Sequence, residues 1–333
     1  MKVLSLFDGI SCGMVALERA GIKVDRYVAY EIDKYAIQVS EKNYPQIEHK
    51  GDVFDANFKE YKGFDLLIGG SPCTYWSIAR NNREVTPDGI GGQLFMQYKR
   101  ALDESGCKYF LYENNYSIHQ NIKEFISEQL GVQPIMINSA LVSAQNRKRC
   151  YWTNIPEVEQ PEDCGIVVDD ILIGEAEQYA VMPCKGNKAH TIVASYAKAG
   201  ENPFSSYGSE RGRQRIAVKL NDENMRSNKE RGTIRIGTIG KGGQGQRIYS
   251  VRGKSVTLSA NGGGQGAKTG LYKIDLPDGD YIIRKLTPIE AERLQTLPDN
   301  YTAGISNTQR YKCIGNGWTV DVIAHIFKHL KDE

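Results

Sequence analysis

No stretch of this 333-residue chain approaches the roughly 18 consecutive apolar residues of a membrane-spanning helix. The opening Met1-Lys2-Val3-Leu4-Ser5-Leu6-Phe7 is too short an apolar run for a secretory signal and meets Asp8 at once. Cysteine is sparse, with seven residues at 12, 73, 107, 150, 164, 184 and 313, never spaced as Cys-x-x-Cys. An odd, scattered set argues against a disulfide framework or a structural zinc site and fits a reducing compartment. The expected location is the cytoplasm. Histidine is scarcer still, with five residues, and His325 and His329, four apart, read as a solvated helix face rather than as metal ligands. No metal and no membrane partner are expected. The net charge is only +2, but it hides an asymmetry: Lys185 to Lys254 carries 15 Lys plus Arg against 5 Asp plus Glu. The remainder is acidic, with 27 against 35.

What the chain does have is an ordinary globular composition, 40% hydrophobic and 25% charged, and length for one large domain or a large and a small one. Val3 to Phe7, Val24 to Tyr30, Leu66 to Ile68, Tyr109 to Tyr112 and Pro134 to Asn138 read as strands. Between them, Met14 to Ala20, Lys34 to Asn43, Leu94 to Glu104 and Ile122 to Gln129 read as helices. That alternation predicts a doubly wound, Rossmann-like α/β domain. Beyond about residue 160 the texture changes, and Gly232 to Gly270 holds 12 glycines in 39 residues among short β-prone pieces. A smaller, irregular domain is expected there. Helix returns at Thr287-Pro288-Ile289-Glu290, which has a Thr cap, proline in the first turn and glutamate three residues after the cap, and again over Val320 to Leu330.

The first strand runs into Phe7-Asp8-Gly9-Ile10-Ser11-Cys12-Gly13, where a glycine turn lets a ligand approach the backbone and the following helix. Its Gly-x-x-x-Gly spacing differs from the dinucleotide fingerprint and lacks the lysine of a phosphate-binding loop. Glu31, 22 residues after Gly9 at the end of the second strand, is placed to accept ribose hydroxyls. Asp52 either accepts from an adenine amino group or caps a turn. Two acids and no phosphate cradle imply an adenosine without a pyrophosphate, a description that S-adenosylmethionine fits.

Gly69 to Tyr75, read GGSPCTY, places Cys73 on a sharp turn just after a buried strand, where ligands of open α/β sheets bind. Glu113-Asn114 follows another strand, and Gln145-Asn146-Arg147-Lys148-Arg149 follows a third. A thiol, a carboxyl and an arginine pair are thus expected at one rim. Each also has a bland reading, as a buried cysteine, a surface acid or a solvated basic run.

Taken together these residues resemble the cytosine-C5 DNA methyltransferase family. The matches are Phe-x-Gly-x-x-x-Gly at 7 to 13, Pro-Cys at 72 to 73, Glu-Asn at 113 to 114 and Gln-x-Arg-x-Arg at 145 to 149. Arg-Lys-Leu-Thr-Pro-x-Glu at 284 to 290 and Gly-Asn at 315 to 316 complete the set, in the family's order and over nearly the full length. Ser71-Pro72-Cys73-Thr74 and Gly92-Gln93-Leu94-Phe95 are similar in style to phage and bacterial relatives of the animal de novo branch. Asn115 stands in place of the usual Val, and Gly317-Trp318 replaces a Ser-Val pair.

The resemblance implies a methyltransferase domain over 1–160 and 308–333 and a target-recognition domain over 161–307 that contains the basic segment. It implies S-adenosylmethionine bound by Phe7, Gly9, Gly13, Glu31 and Ile32, with Asp52, Val53, Pro72 and Asn316. Cys73 would add to carbon 6 of a cytosine flipped out of double-stranded DNA, activating carbon 5 for methylation. Glu113 would bond ring nitrogen 3, Arg149 the base carbonyl, and Arg147 would organise Glu113 or a phosphate. The expected protein is monomeric, with a cognate restriction enzyme as a conceivable partner. Two rival readings stay open: a transfer-RNA cytosine-C5 methyltransferase, favoured less by the long basic insert, and a catalytically inactive DNA-binding homologue.

Overall fold

The structure is a computed structural model that describes residues 1–77, 82–173, 226–228, 232–238, 244–260, 269–275 and 281–330. Cys184 and residues 185–225 of the basic segment lie outside them.

Strands β1 (Lys2–Leu6), β2 (Arg26–Tyr30), β3 (Glu48–His49), β4 (Leu66–Gly69), β5 (Tyr109–Asn115), β6 (Ile135–Asn138) and β7 (Lys148–Thr153) form one sheet. Its order is β3-β2-β1-β4-β5-β7-β6. The first five run parallel, whereas β7 lies antiparallel between β5 and β6. The order reverses between β1 and β4, so the loops leaving those two strands face each other across the crevice where such sheets take ligands.

Strands covered on both faces have to be apolar throughout. Val3 and Leu4, like Leu66 and Leu67, accordingly go to opposite sides. One side packs on α1 (Cys12–Arg19), α2 (Lys34–Asn43) and α8 (Val320–Phe327), the other on α3 (Ile90–Ser105) and α4 (Gln120–Leu130). Full burial of each Leu or Ile in these strands contributes about 1.5–3 kcal/mol, which fixes the rim that carries the loops.

The second sheet has the order β12-β11-β10-β9-β8, built from β8 (Arg226–Asn228), β9 (Thr233–Thr238), β10 (Arg247–Ser250), β11 (Leu271–Asp275) and β12 (Tyr281–Arg284). A third core cluster joins Tyr249, Val251 and Tyr272 of this region to Ala144, to α5 (Val168–Ile171), to α6 (Pro288–Leu294) and to α7 (Asn307–Asn316). The expected capping box is present at the start of α6, where Thr287 and Glu290 bond each other's backbone N–H.

Three sequence expectations are corrected. Strand β5 continues through Glu113 and Asn114 to Asn115 rather than ending before them, because β7 extends the ladder. β7 and α7 were not expected at all. β7 opens on charged residues, and α7 is mostly polar and ends on Gly315-Asn316, so neither has an apolar period. His325 bonds the Glu159 carbonyl, and among the described residues no His, Cys, Asp and Glu group could hold a metal. No described helix is long and apolar enough to cross a membrane.

Candidate active site

The loop after β1 is strained, with Phe7, Gly9 and Ser11 at φ of 57°, 61° and 58°. Non-glycine residues there persist only when the surroundings hold them. Asp8 does so by accepting from Ser5, Ser11 and Tyr27. Glu31, at the end of the neighbouring β2, accepts the Gly9 N–H at 2.8 Å on one oxygen and those of Ile32 and Asp33 on the other. Burial raises its carboxyl above the usual range despite these three donors. Beside it Ile32 stands 73% exposed, and Phe54, past the adjacent β3, is 49% exposed. Lone apolar side chains flanking carboxylates at two adjacent strand ends suit the faces of an aromatic ring, and Glu31 suits the hydroxyls of a sugar. Asp52 takes the capping role, accepting the Phe54 N–H at 3.0 Å. Val53 is buried beneath that turn, with its carbonyl bonded by Arg100. Gly13 is packed so closely on β4 that a Cβ there would meet Ile68. Pro72 and Asn316 are exposed, the latter at the end of α7.

Cys73 opens a short 3₁₀ turn after β4 and is half-buried. Its turn is tied to β5. Ser71 Oγ bonds Tyr112 Oη at 2.6 Å, and buried Asn114 donates to both the Ser71 carbonyl at 3.3 Å and Tyr112 Oη at 3.2 Å. Gly70 lies directly on Glu113, since an added Cβ would sit 2.8 Å from the Glu113 carbonyl oxygen and 3.1 Å from Oε2. Any side chain at 70 would push the cysteine turn off the carboxylate. The segments that carry Cys73 and Glu113 are therefore in direct contact at Gly70.

Glu113 and Arg149 meet by strand register. Arg149 is opposite Asn115 in the β5–β7 ladder, which makes it the diagonal neighbour of Glu113 on the same face. Its Nε lies 2.9 Å from Glu113 Oε1, with both side chains 12% exposed. Because β7 is antiparallel, its start lies at the same rim as the ends of the parallel strands. The other carboxylate oxygen, Oε2, accepts the indole N–H of Trp318 at 3.0 Å.

Arg147 behaves differently from the expectation. It lies just before the β7 ladder and is buried, donating to the carbonyls of Gly315 at 3.1 Å, Gly317 at 3.0 Å and Leu258 at 3.5 Å. It thus bonds neither Glu113 nor open solvent where a phosphate would lie. Burial pushes its guanidinium down to about 9, and Arg149 adds to this, while Glu113, Tyr151 and Cys73 act in the opposite sense. These influences place the thiol, the carboxyl and both arginines in one electrostatic neighbourhood. Lys254 is a second basic residue turned inward: its Nζ donates to the carbonyls of Ala140, Ser143 and Ile166, and burial lowers it.

Sequence reasoning missed Ser71, Tyr112 and Trp318 as parts of the site. A Ser before Pro-Cys and a Trp after Gly-Asn were visible as departures from the family pattern, and those departures were the available signal.

The model of the C-5 cytosine-specific DNA methylase family matches residues 1–332. The type II methyltransferase M.HhaI of Haemophilus parahaemolyticus is 28% identical over 98% of this chain and 93% of its own length. The orphan methyltransferase M.SPRI of Bacillus phage SPR is 26% identical over 99% of this chain and 97% of its own. Among solved structures, a DNA modification methyltransferase from an E. coli prophage superposes with a TM-score of 0.61 at 22% identity, covering 99% of this chain and 98% of that one. The Entamoeba histolytica methyltransferase EhMeth gives 0.66 at 15% identity, covering 100% and 99%. At those identities the structures bear on the fold alone; the family match over the whole length decides the rest, and the chain belongs to the C-5 cytosine-specific DNA methylases, as a DNA cytosine methyltransferase.

Proposed function

We propose that Cys73, Glu113 and Arg149 methylate a cytosine extruded from duplex DNA by covalent catalysis, with S-adenosylmethionine as donor. The observation that carries this reading is the junction of the Cys73 turn and Glu113 through Gly70, with Arg149 on the carboxylate. Carbon 5 of cytosine is a poor nucleophile and needs an electron-rich ring. The Cys73 thiolate adds to carbon 6, and the ring's electron pair moves toward carbon 5 and nitrogen 3. Glu113, carrying a proton, donates to nitrogen 3 and accepts from the exocyclic amine, stabilising that charge where it develops. Arg149 holds the carboxyl and meets the base carbonyl. Bound S-adenosylmethionine supplies an electrophilic sulfonium methyl group to carbon 5. A solvent water then takes the carbon-5 proton, the freed electron pair re-forms the bond between carbons 5 and 6, and Cys73 leaves carbon 6 as thiolate.

Glu31 would hold the ribose of the cofactor, Ile32 the adenine face and Asp52 its amino group, over the Phe7 to Gly13 loop, with Val53, Pro72 and Asn316 completing the wall. Residues 1–160 and 308–333 form the catalytic part and 161–307 the target-recognition part. Arginines at β9 and β10 and Arg252 would neutralise phosphates, as close approach to a groove requires. Base flipping, at about a few kcal/mol, brings the cytosine to the rim. Arg147 would act in this scheme by fixing the Gly315 to Gly317 backbone. The protein works as a monomer in the cytoplasm, with or without a cognate restriction enzyme.

The test is covalent trapping on duplex DNA that contains 5-fluorocytosine, read as a denaturant-resistant complex. Native protein with cofactor should form it, and Cys73→Ala should bind cofactor yet form none. An adduct or methyl transfer by Cys73→Ala would overturn the covalent assignment, and label entering transfer RNA in place of DNA would overturn the substrate.

A further inference from the structure

Trp318 donates a hydrogen bond to Glu113 beside the Arg149 ion pair, and it comes from the far end of the chain. Its indole Nε1 is 3.0 Å from Glu113 Oε2 across 205 residues of sequence. The ring's other edge lies over the start of α1, where Cζ3 would be 3.7 Å from a Cβ on Gly13. The residue is thus packed against the first core cluster through its ring and engaged with Glu113 through its only side-chain polar atom.

That arrangement has a mechanical consequence. A carboxyl held by one donor can still rotate about its last side-chain bond. With Arg149 Nε on Oε1 and Trp318 Nε1 on Oε2, both ends of the carboxyl are fixed and its plane is set. Each contact uses one oxygen, which leaves room on the carboxyl for a donor and an acceptor toward a base edge. A valine, which the family pattern would place at 318, has no donor to offer.

We propose that Trp318 is a positioning residue for the methylation reaction, holding the Glu113 carboxyl in the plane in which it meets the pyrimidine. The proposal rests on reading Glu113 as the group that bonds the base. Trp318→Phe keeps an aromatic ring and removes the N–H. It lowers kcat about tenfold, as expected for loss of one hydrogen bond to a charged group, and leaves cofactor affinity within about twofold of native. In a Glu113→Gln background the same substitution costs less than about twofold, because residues acting through one group are not additive.

The outcomes separate cleanly. An equal tenfold loss in both backgrounds, or a raised KM for cofactor with kcat unchanged, overturns the positioning role and makes Trp318 a wall of the cofactor site. Glu113→Gln without effect on its own overturns the reading of Glu113 instead. Should Trp318→Phe fail to fold, the contact is read from the other side. The chain has three tryptophans, and Trp76 and Trp152 are fully buried in the second core cluster. Glu113→Ala should displace one of three indole N–H resonances and leave two in place, and displacement of none overturns the proposal.

Discussion

Two regions of the molecule use the same chemistry, an arginine on a carboxylate, to opposite ends. At a latch beside the second sheet, Glu290 is fully buried and accepts from four donors: both terminal nitrogens of Arg284 and the N–H groups of Thr287 and Ile173. Glu292, also fully buried, accepts from Arg310, the Asn300 N–H, and the N–H and hydroxyl of Thr302. At the rim, Glu113 accepts one hydrogen bond among the described residues, from Trp318, and forms an ion pair with Arg149. A carboxylate offers about four acceptor sites. The latch is saturated and can only hold the fold together, whereas the rim keeps acceptor capacity for something that is not part of the chain.

The sharpest way to break that contrast is a double dissociation. Glu113→Gln should lower kcat by about 10²–10⁴, the range for a group that moves or shares a proton in the transition state, with little change in thermal midpoint. Glu290→Ala should do the reverse, destabilising the protein by about 3–5 kcal/mol because it breaks a buried ion pair, with the folded fraction retaining activity. Denaturant unfolding and steady-state kinetics on both variants read it. A stability loss at Glu113 as large as at Glu290 would mean that the rim is another latch.

Much of this was legible in the residues, and the reason is physical. Parallel strands buried on both faces have to be continuous apolar runs, so Leu66-Leu67-Ile68 and Tyr109 to Tyr112 announced themselves, and the turns after them were where reactive groups belong. What stayed hidden depends on contacts that no local pattern encodes. β7 is a strand because β5 and β6 flank it, although Lys148-Arg149 reads as a solvated run. Arg147 and Arg149 look like a matched pair at a spacing of two, but Arg147 precedes the first ladder pair, Asn138 with Lys148, and is drawn into the Gly315 to Gly317 backbone. Trp318 could be noted only as an oddity, since its partner is 205 residues away.

Glu31 lies between the two extremes, with three backbone donors. Glu31→Ala should therefore weaken cofactor binding by about 10- to 100-fold, as loss of hydrogen bonds to a charged acceptor implies. It should also cost some stability, because the Gly9, Ile32 and Asp33 N–H groups lose their acceptor. Calorimetric titration with S-adenosylmethionine measures the first effect. Unchanged affinity would remove Glu31 from the binding site and leave it as a brace for the strained loop.

The smallest expected effect concerns pH, and its sign differs between the regions. Glu290 is held below the usual carboxyl value of 4.5; burial acts to raise it, but the Arg284 hydrogen bond and charge prevail. Its stabilisation is complete above that value and is lost as the pH falls through its lowered folded value, so Glu290→Gln should flatten the acid limb of the stability curve. Glu31 is held above 4.5, with burial as the leading cause. Its ionised form is the costly one in the folded protein, so its contribution declines as the pH rises through the raised value. The ribose hydroxyls need that ionised form as acceptor. Cofactor affinity should consequently begin to fall, on acidification, at a pH above 4.5, before the Glu290 latch is titrated. Affinity that stays level until the protein unfolds would show that the carboxylate of Glu31 is not what the cofactor meets.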